Sequence, residues 1–181
     1  MGCDVTQQEL EDGSWKISLR PTRSPLRPLT IDIPGDFSAA AFFLVAGSVF
    51  PDSRVVVEGA GYNPTRIGLL TILQRMGAKI SMQNPRQQGG EDVVDFVIET
   101  ADLQAVDLNE QDVVLAIDEI PVFAIAAAAA RGRTTVRGAR ELRVKESDRI
   151  SMTVAILRSF GVTVEEFEDG FVVDGDPSLG R

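Results

Sequence analysis

The sequence contains no histidine. That absence removes the Ser-His-Asp triad, the histidine general base and every His-containing zinc site. Cysteine is nearly as scarce. Cys3 stands alone, which excludes an internal disulfide and any cysteine-cluster metal site. So low a count suits a reducing compartment such as the cytosol. No apolar run approaches the roughly 20 residues of a membrane-spanning helix. The opening MGCDVTQQEL has neither the basic start nor the apolar stretch of a secretory signal, so a cytoplasmic location is expected. Positive charge is in deficit too, with 18 basic against 27 acidic side chains and a net charge of −9. Such a chain repels polyanions, so general nucleic-acid binding is disfavoured, whereas a small phosphorylated ligand needs only a local basic cluster. What is present suits a folded protein. The 181 residues, 44% hydrophobic and 25% charged, can bury a self-sufficient core as one sizeable domain or two small ones.

The first third is uneven. Trp15-Lys16-Ile17-Ser18-Leu19 alternates as a strand does. The next nine residues, Arg20 to Pro28, hold three prolines and three arginines and read as an extended connector. From Pro34 onward the chain repeats itself. The first copy runs Pro34-Gly35-Asp36, an apolar helix Phe37 to Val49, a strand Arg54 to Gly59, and a helix with Leu69, Leu73 and Met76 on one face. The second runs Ile117-Asp118-Glu119, an Ala-rich helix through Ala130, a strand Thr134 to Gly138, and a helix with Ile150, Val154 and Leu157 on one face. Gly77 and Gly161 follow the two second helices, where a left-handed cap is expected. Further strands such as Val93 to Ile98 join on. Alternating helices and strands predict an α/β or α+β layered fold, helices packed on mixed sheets. Asn63-Pro64 predicts an N-cap with proline at the first helical position, and Asn84 to Asp92 a turn or flexible excursion.

The segment Arg137 to Arg149 carries five bases (Arg137, Arg140, Arg143, Lys145, Arg149) against three acids (Glu141, Glu146, Asp148). A local reversal of sign is what a phosphate- or carboxylate-bearing ligand needs. Surface ion pairs account for the same composition. The first copy serves as an internal control, because Arg66 stands 11 residues before Gly77 and Arg149 stands 12 before Gly161. Where the first copy has Tyr62-Asn63-Pro64-Thr65-Arg66, the second has Lys145 and Glu146 side by side. Adjacent side chains diverge on a helix or strand, so both serve one site only from irregular backbone just before the helix. Free N–H groups at such a place also favour an anion. Asp36 and Asp118 each precede an apolar helix, where a capping aspartate is expected. A helix start favours the charged carboxylate, so Asp118 as a catalytic group must accept a hydrogen bond from a substrate hydroxyl or be tuned by ligand charges. Gly59-Ala60-Gly61 is no dinucleotide fingerprint, and no phosphate-loop motif is present; nucleotide cofactors have no support.

The run Glu141-Leu142-Arg143-Val144-Lys145-Glu146-Ser147-Asp148-Arg149-Ile150, preceded by Ile117-Asp118-Glu119-Ile120-Pro121, resembles the EPSP synthase family, 3-phosphoshikimate 1-carboxyvinyltransferases, and is closer to its second, less glyphosate-sensitive class. Pro34-Gly35-Asp36 and Asn63-Pro64-Thr65-Arg66 are similar as well. The resemblance implies a two-lobed enzyme, each lobe built of three βαβαββ units around a pseudo-threefold axis. It implies transfer of the enolpyruvyl group of phosphoenolpyruvate to the 5-hydroxyl of shikimate 3-phosphate, through a tetrahedral intermediate and with release of phosphate. By the same carry-over Asp118 holds or deprotonates the attacking hydroxyl, and Lys145 contacts both ligands and assists proton transfer. Glu146 exchanges a proton at the methylene carbon, and Arg149 grips the phosphoenolpyruvate carboxylate. No metal and no organic cofactor is implied.

Against that family the chain is short. The resemblance makes residues 1–33 the end of the other lobe and the interlobe crossing, and 34–181 two of the three repeats of one lobe. The partners expected are the two small substrates and the missing lobe and third repeat, with no nucleic acid and no membrane. An apolar flank left by the missing unit predicts a homodimer in isolation. Two other readings stand beside it: the sister enzyme acting on UDP-N-acetylglucosamine, which relies on a different basic and cysteine loop, and a non-catalytic repeat module of the same fold.

Overall fold

The structure, a computed structural model, describes residues 2–22 and 24–180. Arg23, one of the three arginines of the expected connector, lies outside the described residues. The chain divides into two compact units, one ending at Asp32 and one starting at Ile33. In the first, β1 (Asp4–Glu9) pairs antiparallel with β2 (Trp15–Arg20), Asp4 facing Arg20 and Glu9 facing Trp15. The alternating Trp15 to Leu19 is thus a strand. Its partner carries a single large apolar residue, Val5, and so lacks the period-two signal that marks a strand in sequence. After β2 the described residues up to Asp32 form neither helix nor strand.

In the second unit a first half runs α1 (Phe37–Val49), β3 (Arg54–Gly61), α2 (Gly68–Arg75), β4 (Lys79–Gln88) and β5 (Glu91–Glu99). A second half runs β6 (Asp107–Leu108), α3 (Glu110–Leu115), α4 (Ile120–Ala129), β7 (Gly132–Val136), α5 (Arg149–Ser159), β8 (Thr163–Phe167) and β9 (Gly170–Gly175). Short 3-10 turns cover Arg140–Val144 and Pro177–Gly180. The sheets have the orders β3-β5-β4 and β6-β7-β9-β8. Gly35 bridges in parallel to Ala60 on β3, the place that β6 takes beside β7. This is the mixed α/β layering expected from the sequence.

Helices α1 and α4 are apolar on nearly every side, and each buries most of its residues against other elements. They lie against each other. Phe37 of α1 meets Phe96 of β5 edge-to-face at 6.1 Å. Gly47 is the point of closest approach to the sheet: a Cβ there would lie 2.9 Å from Ile98 Cγ2. One flank stays uncovered, with Phe42, Phe50 and Phe160 more than half exposed along one groove.

Three local expectations are corrected. The segment Asn84 to Asp92 is no flexible excursion; it is the end of β4, a Gly89-Gly90 turn and the start of β5. Both glycines have positive φ, as a tight hairpin needs. Asn63 does not cap α2, which starts at Gly68; its carboxamide oxygen accepts from the Thr65 N–H and hydroxyl, closing a local turn. Asp118 does not cap α4, whose N-cap is Glu119, whereas Asp36 does cap α1 through the N–H groups of Ser38 and Ala39.

Asn84 and Pro85 were misleading because they belong to a bulge built around Asp95. The Asp95 carboxylate, nearly buried in mid-strand, accepts from the Gly59 N–H (2.8 Å), the Asn84 amide (2.8 Å) and Arg86 (2.9 Å). Register shifts in both neighbouring strands open the room for it. The Asn84 amide, then the Gly59 N–H, then Arg86 hold its carboxyl down to about 2 from 3.8. A depressed carboxyl stabilises the fold fully above its unfolded pKa and loses that contribution as pH falls through the folded value. Asp95→Asn is therefore expected to lower the urea midpoint at pH 7, with the gap to wild type closing between about pH 4 and pH 2. A gap that stays constant down to pH 2 would mean the charge does not matter.

Candidate active site

The expected site residues come from two places, the turn before α4 and the irregular loop between β7 and α5. The loop is anchored from below. Arg143 spans it, donating to Asp148 (2.8 Å), Ser151 (3.0 Å), Glu166 (3.1 Å) and the main-chain oxygens of Phe167 (2.5 Å) and Glu168 (2.7 Å). Asp148 then caps α5 by accepting the Ser151 N–H. Between the two anchors Lys145 adopts extended backbone. That break turns the adjacent Lys145 and Glu146 toward one place, which a regular helix or strand would not allow.

Asp118, Lys145, Glu146 and Arg149 are brought together. Arg149 opens α5 and donates to Asp118 Oδ1 at 3.1 Å and to Glu146 Oε2 at 2.6 Å. Lys145 Nζ lies 3.8 Å from Asp118 Oδ1 and 3.3 Å from Glu141 Oε1. The two cations are three-quarters buried, while Asp118 is 43% and Glu146 80% exposed at the side chain. Glu146's own backbone N–H, then Arg149, hold its carboxyl below the ordinary carboxylate value. Burial works against the charge on Arg149, and the bonds from Glu146 and Asp118 outweigh it, raising its pKa. The resting arrangement is a pair of largely buried cations paired with more exposed carboxylates. An anionic ligand can exchange for them.

The five bases of the segment divide sharply. Arg137 pairs with Asp169 at 2.8 Å and lies over the Phe167 ring, Arg140 pairs with Glu168, and Arg143 is the loop anchor. Only Lys145 and Arg149 face Asp118. All five bases are ion-paired, but three of them pair within the loop and with the β8–β9 hairpin, whereas Lys145 and Arg149 alone converge on Asp118.

Sequence reasoning missed a neighbouring group. Ser38 at the start of α1 donates its hydroxyl to Glu119, and Arg66 NH2 reaches the same hydroxyl oxygen at 3.4 Å. Ser38, Asp118 and Glu119 form the polar end of an apolar groove of about 630 Å³ that runs between Phe42, Ile125, Ile156 and Phe160. No sequence signal marks Glu119, since its partner lies 81 residues away. Among the described residues no three acidic or cysteine side chains are grouped to hold a metal, and no helix is long and apolar enough to cross a membrane.

A family model described as EPSP synthase (3-phosphoshikimate 1-carboxyvinyltransferase) matches residues 1–180. A 3-phosphoshikimate 1-carboxyvinyltransferase of Desulforamulus reducens is 49% identical over 154 residues, 85% of this chain and 36% of that protein. One of Zymomonas mobilis is 44% identical over 179 residues, 99% of this chain and 39% of that protein. Among solved structures, the 2.37 Å structure of EPSP synthase from Acinetobacter baumannii superposes with a TM-score of 0.84 at 42% identity, covering 96% of this chain and 38% of that one. The chain thus spans well under half the length of the relatives it matches.

Proposed function

The chain belongs to the EPSP synthase family, and from that membership we propose that it carries part of the site at which the enolpyruvyl group of phosphoenolpyruvate passes to the 5-hydroxyl of shikimate 3-phosphate. The observation that supports the assignment is the cluster itself: two acids and two cations from the expected positions share one set of ion pairs. Asp118 holds the attacking hydroxyl and takes its proton. As the new carbon–oxygen bond forms, Glu146, which takes up a proton from solvent once it has left Arg149, delivers that proton to the methylene carbon, giving the tetrahedral intermediate. Collapse breaks the carbon–oxygen bond to phosphate, the methyl group returns a proton to Glu146, and the departing phosphate takes up the proton that Asp118 held. Lys145 bridges both ligands and Arg149 holds the carboxylate.

The resting geometry adds a step to this scheme. Arg149 presents NH1 to Asp118 and NH2 to Glu146. A ligand carboxylate that takes the guanidinium by both nitrogens replaces both acids at once. The two groups assigned to proton work are thereby released when phosphoenolpyruvate arrives.

Residues 1–33 are assigned to the end of the other lobe and the crossing, and 34–181 to two repeats of one lobe. The rest of the site comes from the parts of the family's longer members that this chain does not match. The enzyme works in the cytoplasm, and the chain by itself pairs through its uncovered phenylalanine flank. An amide NMR titration with phosphoenolpyruvate and shikimate 3-phosphate tests the proposal. Saturable shifts are expected at Asp118 and from Lys145 to Arg149, on lines that broaden with protein concentration. A well-dispersed spectrum unmoved by either ligand would refute ligand binding by this chain, and lines indifferent to concentration would refute the pairing.

A further inference from the structure

One buried ionisable group has no part in the scheme above. Glu119 is 3% exposed, although it directly follows the exposed Asp118. It is the N-cap residue of α4, yet its side chain bonds no N–H of its own helix. Its Oε1 accepts the hydroxyl of Ser38 across the α1–α4 seam, the one side-chain hydrogen bond of Glu119 among the described residues. Ser38 is fixed in turn. Its N–H donates to Asp36 Oδ1 at 3.2 Å, and its hydroxyl oxygen receives Arg66 NH2 at 3.4 Å.

The main chain of Glu119 is held as firmly. Its N–H donates to the Ala116 oxygen at 2.9 Å, and its own oxygen accepts the Phe123 N–H at 2.8 Å. With side chain and backbone both pinned, the residue before it has little freedom of direction. That residue is Asp118, with its carboxylate 3.1 Å from Arg149 and 3.8 Å from Lys145. A buried carboxylate deprived of its donor does not stay where it is; it seeks water or a new partner.

We infer that Ser38 and Glu119 are positioning residues: their bond across the seam fixes the turn at Asp118 and aims its carboxylate at Arg149 and Lys145. The first half of the unit, which carries none of the four site residues, contributes to the site in this way. The consequence for ligands rests on the proposed role of Asp118. The effect on its orientation does not.

The test uses this chain and three variants, reading the carboxyl carbon-13 signal of Asp118 without ligand and then the binding of each substrate. Ser38→Ala is expected to move the Asp118 signal and to weaken shikimate 3-phosphate by about tenfold, the scale of one hydrogen bond to a charged group. Phosphoenolpyruvate binding should stay within about twofold, because Lys145 and Arg149 keep their anchors. Ser38→Thr and Glu119→Gln, which retain donor and acceptor, should match wild type. Should Ser38→Ala not fold, Glu119→Asp, which keeps the charge but falls one methylene short, carries the same expectation. An unmoved Asp118 signal in a folded Ser38→Ala or Glu119→Asp protein overturns the inference, as does an equal loss of both ligands or a Glu119→Gln protein as impaired as Ser38→Ala. If wild type binds neither ligand while Ser38→Ala still moves the Asp118 signal, the positioning stands and the functional proposal for this chain falls.

Discussion

Arg149→Met is expected to weaken phosphoenolpyruvate binding about a hundredfold while leaving the fold intact. The substitution keeps the apolar stem and removes the fork. Two charge-assisted N–H bonds to a carboxylate are lost, each contributing about 1.5 kcal/mol or more. Together they amount to roughly 3 kcal/mol, about a hundredfold in affinity. Stability should change less than at Arg143, because among the described residues the Arg149 side chain donates only to two side chains, one of them 80% exposed, and to no main-chain oxygen. Arg149→Lys should fall between the two, since an ammonium supplies charge without the bidentate geometry. A second readout belongs to Glu146. Its carboxyl is held low first by its own backbone N–H and next by Arg149. In Arg149→Met its titration should therefore move up toward the ordinary carboxylate value without reaching it. Undiminished phosphoenolpyruvate affinity in a folded Arg149→Met protein would remove Arg149 from the site.

How much of this was legible in the sequence depends on how far each determinant reaches along the chain. The second helices were legible because Leu69, Leu73 and Met76, or Ile150, Val154 and Leu157, repeat at helical spacing and end at a glycine with positive φ, +89° at Gly77 and +80° at Gly161. Lys145 beside Glu146 was legible because no regular element accounts for that pair. The bulge at Asn84-Pro85 was not, since its cause is Asp95 on the next strand; the residues alone spell a loop. Asp36 and Asp118 look alike in sequence and differ in the fold. The first caps α1, whereas Glu119 takes the cap position at α4 and frees Asp118 for the cations. The five bases from Arg137 to Arg149 could not be sorted by composition either. What sorts them is the β8–β9 hairpin, whose Glu166, Glu168 and Asp169 claim Arg143, Arg140 and Arg137. Those partners lie 23 to 32 residues away.

Arg143 is thus the counterpart of Arg149, and its replacement should give the opposite result. Arg143→Met removes the cation that lies between Asp148 and Glu166, two carboxylates that also share the Ser151 hydroxyl at 3.2 and 2.7 Å. It also strips two main-chain oxygens, of Phe167 and Glu168, of their donor. The Arg143 side chain is 21% exposed, so the cost lies between that of a surface pair and that of a broken buried one, about 2–3 kcal/mol. For a chain of this size that is a fall of roughly 5–10 °C in thermal midpoint. The pH dependence follows from the acids. The Ser151 N–H and then Arg143 lower the Asp148 carboxyl; the Ser151 hydroxyl and then Arg143 lower that of Glu166. Depressed carboxyls stabilise above their unfolded pKa values and cease to do so as pH falls through the folded ones. The difference between wild type and Arg143→Met should therefore be largest near pH 7 and shrink below about pH 4. Calorimetry across that range decides the matter. A variant as stable as wild type at pH 7, or a difference that grows in acid, would show that Arg143 is not the anchor, and would return it to the bases available for a ligand.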